Sequence, residues 1–230
     1  LLYKSSLKSI DALANMGNNL KPMKKLFGNY ILEHSCTLLP SERGSGKTFL
    51  GLQNCIAISS KWKFFLNEEI NLYGNTLFVN HELNEEIISR RISHLFKAPP
   101  YPIDQTEFRT MVYTTRGSFE EEVENIIRII KTYKPVLVVL DNYRMAFINS
   151  DSNSNKEVSK SMKQILTLKD SLNTTILLTD HTRKHTRHLL TDSDLQSGSG
   201  VKSDLVDSDM FLRRSSQNKD YRILKRVKSR

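Results

Sequence analysis

The sequence predicts an α/β fold, a mostly parallel, twisted sheet with helices on both faces. Three observations predict it. Apolar runs of strand length alternate with amphipathic runs of helix length over most of the chain. Residues 136–140 are an unbroken Val/Leu run ending in Asp141, as expected of a parallel strand buried on both faces. A glycine-containing turn, residues 40–48, joins an apolar run to a helical one. This is the strand–loop–helix context in which backbone N–H groups and a helix dipole face an anion.

Taken in order, residues 1–27 are polar and rich in Asn and Lys. Their weak helical period at Leu7, Ile10, Leu13 and Ala14 marks an N-terminal arm, and residues 28–230 form one domain. Residues 28–32 lead into a first strand near 35–39. Residues 47–60 place Leu50, Leu52, Ile56 and Ile58 as a helix packing on a sheet does. The Gly74-Asn75 turn precedes a buried strand at 75–80. Asn84 caps the next helix, Glu85 and Glu86 meet its dipole, and Pro99, Pro100 and Pro102 stop it. A strand is expected at 108–114. Ser118, with Glu121 three residues on, forms a capping box for a helix reaching about Tyr133. After the strand ending at Asp141 come a loop at 151–155, a helix at 156–172 and a strand at 174–179. Residues 190–204, rich in Ser, Asp and Gly, read as a loop. Two closing strands, 210–213 and 221–224, flank a turn at 215–220.

The chain has 230 residues, enough for one large domain with a sizeable core. Lys and Arg total 34 against 25 Asp and Glu, a net charge of +9. That suits a polyanion partner, and it also suits an ordinary basic surface. Cys36 and Cys55 are the two thiols, without a C-x-x-C. They read as small buried residues of a reducing compartment, so the expected location is cytoplasmic. No apolar run reaches about 18 residues, and no secretory segment opens the chain, so no membrane partner is expected. The chain begins Leu1-Leu2 without Met and is expected to be a piece of a longer protein.

The chemistry centres on Ser41, Glu42, Arg43, Gly44, Ser45, Gly46, Lys47 and Thr48, with Phe49 behind them. The phosphate-loop pattern is G-x-x-x-x-G-K-[ST], and its first position here is Ser41, a variant that an ordinary φ permits. Lys47 would reach the β- and γ-phosphates of ATP, and the Thr48 hydroxyl would bind Mg²⁺. Asp141 ends the strongest strand, where it can hold Mg²⁺ opposite Thr48; the plainer reading is a turn or cap residue. Glu82 follows another buried strand and could polarise the water attacking a γ-phosphate, or else merely meet a helix dipole. His81-Glu82 does not begin a zinc-peptidase H-E-x-x-H, since position 85 is Glu85. His181 ends the strand at 174–179 and could sense the γ-phosphate, or be a solvated strand-end histidine. The cationic run at 182–188 suits contact with phosphates, or is a solvated loop.

With these residues in place, the chain resembles the RecA-like P-loop ATPases, and within them the RepA-type replicative helicases of plasmids and mobile elements. The resemblance spans about residues 25–230. It runs through the loop at 41–48, the strand ending in Glu82, the strand ending in Asp141 with Asn142-Tyr143 after it, and the "H-T-x-K" end at 181–184. It continues in a "G-S-x" loop at 198–200 ahead of Asp207, and a terminal "K-x-R" at Lys228 and Arg230. The resemblance implies a RecA-like P-loop NTPase core, Mg-ATP as cofactor and substrate, and a homo-oligomeric ring or filament with ATP between subunits. It also implies a catalytic role for Glu82, a sensor role for His181, and Lys228 and Arg230 reaching a neighbour's γ-phosphate.

The function expected is therefore an ATP hydrolase of DNA metabolism, coupling hydrolysis to binding or translocation on single-stranded DNA, possible DNA helicase activity included. No aromatic residue stands in 182–204 to stack a base, so backbone contacts are the expected mode. A nucleotide-dependent assembly protein with little turnover is the alternative, and a small-molecule kinase the third reading.

Overall fold

The computed structural model of the chain describes residues 7–182 and 200–229. Helix α1 (Ile10–Asn18) begins at Ser9, whose hydroxyl accepts from Ala12 N, and it buries none of its residues. A small hairpin of β1 (Lys25–Phe27) and β2 (Ile31–Leu32) follows. Leu26 and Phe27 are fully buried in the core, so the last three residues of the expected 1–27 arm fold with the domain.

The main elements then alternate. Strand β3 (Cys36–Ser41) runs into α2 (Lys47–Ser59), and a second small hairpin forms from β4 (Phe64–Phe65) and β5 (Glu68–Glu69). Next come β6 (Thr76–Asn80), α3 (Glu85–Lys97), β7 (Thr110–Thr114) and α4 (Phe119–Tyr133). Then follow β8 (Leu137–Asp141), α5 (Tyr143–Ala146), α6 (Asn155–Leu172) and β9 (Thr175–His181). Helix α7 (Val201–Leu205) and strands β10 (Ser208–Arg214) and β11 (Arg222–Ser229) close the chain.

Seven strands form one sheet in the order β11-β10-β3-β9-β8-β6-β7. Only the β10–β11 pairing is antiparallel; the rest are parallel. Side chains alternate across the sheet. Val139, Phe78 and Leu177 enter the cluster under α2 and α3, while Val138, Leu140, Val79 and Leu178 enter the cluster with α4, α5 and α6. This two-sided burial is why the strand sequences read as continuous apolar runs. Helix α2 lies so close to the sheet that a Cβ at Gly51 would sit 3.1 Å from Val139 Cγ1 and 3.2 Å from the Phe78 ring. A glycine inside a helix costs stability, and here it permits that approach.

The expected caps form. Asn84 accepts from Ile87 N, and Ser118 and Glu121 make both halves of a capping box. Two strands run further than expected. Strand β3 continues through Pro40 to Ser41, and β9 continues through Asp180 to His181, because those four residues pair with each other in register. Residues 201–205, read as part of a loop, form α7. The sequence of α7 looks polar because its Lys202 is buried against a distant carboxylate, Asp180.

Both cysteines are buried, and burial pushes their thiols up to about 12, which leaves them unreactive. No helix among the described residues is long and apolar enough to cross a membrane.

Candidate functional site

The carboxyl ends of four neighbouring strands lie side by side, with β3 and β9 running two residues beyond β8 and β6. Ser41 of β3 faces His181 of β9, and Asn80 of β6 faces Asp141 of β8. The residues just past or at these ends fill one cavity of about 680 Å³. Gly44, Gly46, Lys47, Thr48, Glu82 and His181 line it, with Arg43 and Phe49 also on its wall. A crevice at the carboxyl edge of a parallel sheet is where such folds bind ligands.

The loop owes its shape to Gly46, which has φ +105° and forms the N-cap of α2 with nothing within 4 Å of where a Cβ would stand. Ser41 is not in the turn at all. It is the last residue of β3, fully buried, with none of the positive φ that would demand glycine. That explains how serine occupies the first position of the pattern. Glu42 O accepts from Ser45 N at 3.3 Å and from Ser45 Oγ at 2.8 Å, closing the loop on itself.

Thr48 Oγ1 donates to Asp141 Oδ2 at 2.7 Å, and Thr179 Oγ1 donates to Oδ1 at 2.5 Å. Asp141 is fully buried, and burial pushes its carboxyl above the usual range, against the lowering effects of Lys47, Thr179 and Thr48. A buried carboxylate beside a hydroxyl, open to the cavity through Thr48, is a hard-oxygen donor set that fits Mg²⁺, which takes few protein ligands beside phosphate oxygens. Nowhere among the described residues do three or more His, Cys, Asp or Glu side chains group to cage a metal by themselves.

Lys47 is 6 % exposed, and its Nζ stands 3.3 Å from Glu82 Oε2 and 3.3 Å from His181 Nε2. His181 Nε2 lies 3.7 Å from Glu82 Oε1, too far for a hydrogen bond. Asn142 was not singled out as a site residue, yet its Nδ2 donates to Glu82 Oε2 at 2.5 Å and stands 3.3 Å from His181 Nε2. Its Oδ1 accepts from Met145 N and caps α5. Position next to the strand-end Asp141 was the one sequence signal for it.

The nearby His181 ring first, acting through its polarity and charge at 3.7 Å, then the Lys47 ammonium and the Asn142 amide, push the Glu82 carboxyl down to about 2, against the upward push of its burial. The sign is that of a depressed carboxylate. Its contribution to folding is complete above its usual value of 4.5 and is lost as pH falls through about 2. Urea unfolding of wild type and Glu82→Gln should therefore converge as pH drops from 6 toward 3, since only the wild type loses this contribution on acidification. A constant gap across that window would deny the lowered value.

Arg91, Arg144 and Met145 also line the cavity. The Arg91 guanidinium carbon sits 5.5 Å over the Phe49 ring. Lys228 stands elsewhere: its Nζ donates to the carbonyls of Ser203 and Asp204 in α7. Arg230, most of the cationic run at 182–188, and Gly198 and Ser199 lie outside the described residues. Asp207 accepts from Cys36 N at 2.8 Å and so ties the entry of β10 to β3.

A family model described as an AAA domain matches residues 4–187. No curated protein matches the chain.

Proposed function

The chain belongs to the family of AAA-domain ATPases, and from that premise we propose that it hydrolyses Mg-ATP in the cavity at the strand ends and couples this to single-stranded DNA. One observation carries the reading: Lys47, Thr48, Asp141, Glu82 and His181, far apart in sequence, converge there. Residues 25–230 are the ATPase domain in this reading, preceded by an arm.

The loop residues 41–48 and Lys47 hold the triphosphate, and Lys47 leaves Glu82 for the β- and γ-phosphates when ATP arrives. Thr48 and Asp141 would hold Mg²⁺, which would supply charge neutralisation to the triphosphate. Freed of Lys47 but still held by Asn142, the ionised Glu82 orients the attacking water. His181, within reach of both Lys47 and Asn142, reports the γ-phosphate to the segment that follows it. Lys228 lies outside this cavity, so its contact with a triphosphate, and that of Arg230, is made across an interface with a second copy in a ring or filament. The net charge of +9 and the cationic residues after His181 support a polyanion partner, read through its backbone. The RepA-type helicase resemblance gives the same direction. Buried thiols suit a cytoplasmic protein.

The test is steady-state hydrolysis of Mg-ATP with and without single-stranded DNA, at rising salt. Hydrolysis stimulated by DNA, with the stimulation fading as salt rises, is expected. ATP binding without turnover would replace this reading by a nucleotide-dependent assembly protein, and phosphate transfer to a metabolite would replace it by a kinase.

A further inference from the structure

The phosphate loop has an outer side, and two arginines from the end of the chain grip it. Arg214 Nη2 donates to Gly44 O at 2.9 Å, and Arg222 Nε donates to Ser45 O at 2.8 Å. Neither arginine lines the cavity, so both reach the loop from behind. The two stand directly opposite each other across the β10–β11 pair. Like charges in that position ordinarily cost stability. Here each guanidinium ends on a loop carbonyl. Arg222 is further fixed by Nη1, which donates to Lys219 O at 2.7 Å and Tyr221 O at 3.1 Å. It therefore ties the hairpin turn to the loop. The hairpin is itself registered on the loop's own strand, since Leu212 of β10 pairs with Ser41 of β3.

We infer that Arg222, seconded by Arg214, is a positioning residue that sets the phosphate-loop backbone before nucleotide arrives. A trans peptide holds its C=O and N–H in opposite directions. Fastening Ser45 O to Arg222 on the outer side turns the Gly46 N–H toward the cavity side, where an anion can meet it. Fastening Gly44 O to Arg214 steadies the turn closed by Ser45 N and Glu42 O. Without these two bonds the loop must find that arrangement at the moment of binding, and affinity falls by the ordering cost. The inference rests on the proposed ATP site. It adds that the sheet's closing hairpin and the occupancy of that site are coupled.

Titration of the full chain with Mg-ATP, beside steady-state kinetics, tests it. Arg222→Gln should weaken Mg-ATP binding about tenfold and raise KM in step, while kcat stays within about threefold. Arg222→Lys keeps the charge but not the fork of donors, and should recover part of the loss. Arg213→Gln removes an exposed charge from the neighbouring strand β10 of the same hairpin, without a hydrogen bond to the loop, and should leave affinity unchanged. Equal affinity of Arg222→Gln and wild type would overturn the inference, as would equal weakening by Arg213→Gln, which would indicate a general charge effect. If Arg222→Gln loses the fold in thermal unfolding, the comparison passes to Arg222→Lys and Arg214→Gln, for which unchanged affinity is again the overturning result. Wild type that binds no Mg-ATP at all would instead remove the ATP site, a different and distinguishable failure.

Discussion

Glu82→Gln is expected to reduce kcat for ATP hydrolysis by roughly two to four orders of magnitude while leaving ATP affinity intact or tighter. The asymmetry follows from the geometry. Glutamine keeps the volume and one oxygen to accept from Asn142 Nδ2, so the side chain stays where the carboxylate was. It cannot carry the negative charge that orients and polarises a water. It also cannot hold the Lys47 ammonium, which in the wild type pairs with Glu82 at 3.3 Å and must leave it to reach phosphates. The substitution thus removes a competitor for Lys47 and the proposed base in one step. Single-turnover hydrolysis and equilibrium binding, measured on the same preparation, separate the two effects. Unchanged turnover would take the catalytic role away from Glu82.

Asp180→Ala should lower folding stability by about 3 kcal/mol or more, lowering Tm by roughly 10 °C. Asp180 and Lys202 pair at 2.6 Å, with their side chains 3 % and 2 % exposed. Asp180 also accepts from His181 N at 2.8 Å. Removing the carboxylate takes away an anion 2.6 Å from a buried ammonium, which also stands 4.0 Å from the Tyr143 ring centroid. The favourable worth of the pair itself is small after desolvation; most of the loss comes from removing one member of a buried charge pair while the other stays buried. Adding Lys202→Met to Asp180→Ala should accordingly recover much of the stability, and the double-mutant cycle measures the coupling. A loss below about 1 kcal/mol for Asp180→Ala would mean that the other contacts of Lys202, or water, satisfy its ammonium. The same variant frees the backbone beside His181, so a change in hydrolysis at temperatures where the fold persists is also expected.

What was legible in the sequence was what is local or two-sided. Asn84 and Ser118 announce helix starts because capping is settled within three residues. Strands β6 and β8 announce themselves because burial on both faces makes their middles unbroken apolar runs, at 77–79 and 137–140. Glu82 and Asp141 could be picked as site residues because strand ends in such sheets converge on ligands. The contacts that escaped are long-range or very short. The hairpins β1–β2 and β4–β5 have strands of two or three residues, too short for any period. Helix α7 hides because Lys202 finds its partner 22 residues away. The grip of Arg214 and Arg222 on the loop joins positions 170 and 177 apart, and nothing in either arginine's surroundings points there.

Among the described residues one edge strand of the sheet is β11, which carries Arg222, Lys225, Arg226 and Lys228. An outermost strand offers its open row of backbone groups to any other strand of suitable register, including the same strand of another molecule. Two such strands brought together would set several like charges close to one another. Edge-to-edge fusion of sheets, the first step of many precipitates and fibres, is therefore disfavoured on this side. An anion or an acidic surface between two copies would ease association through it.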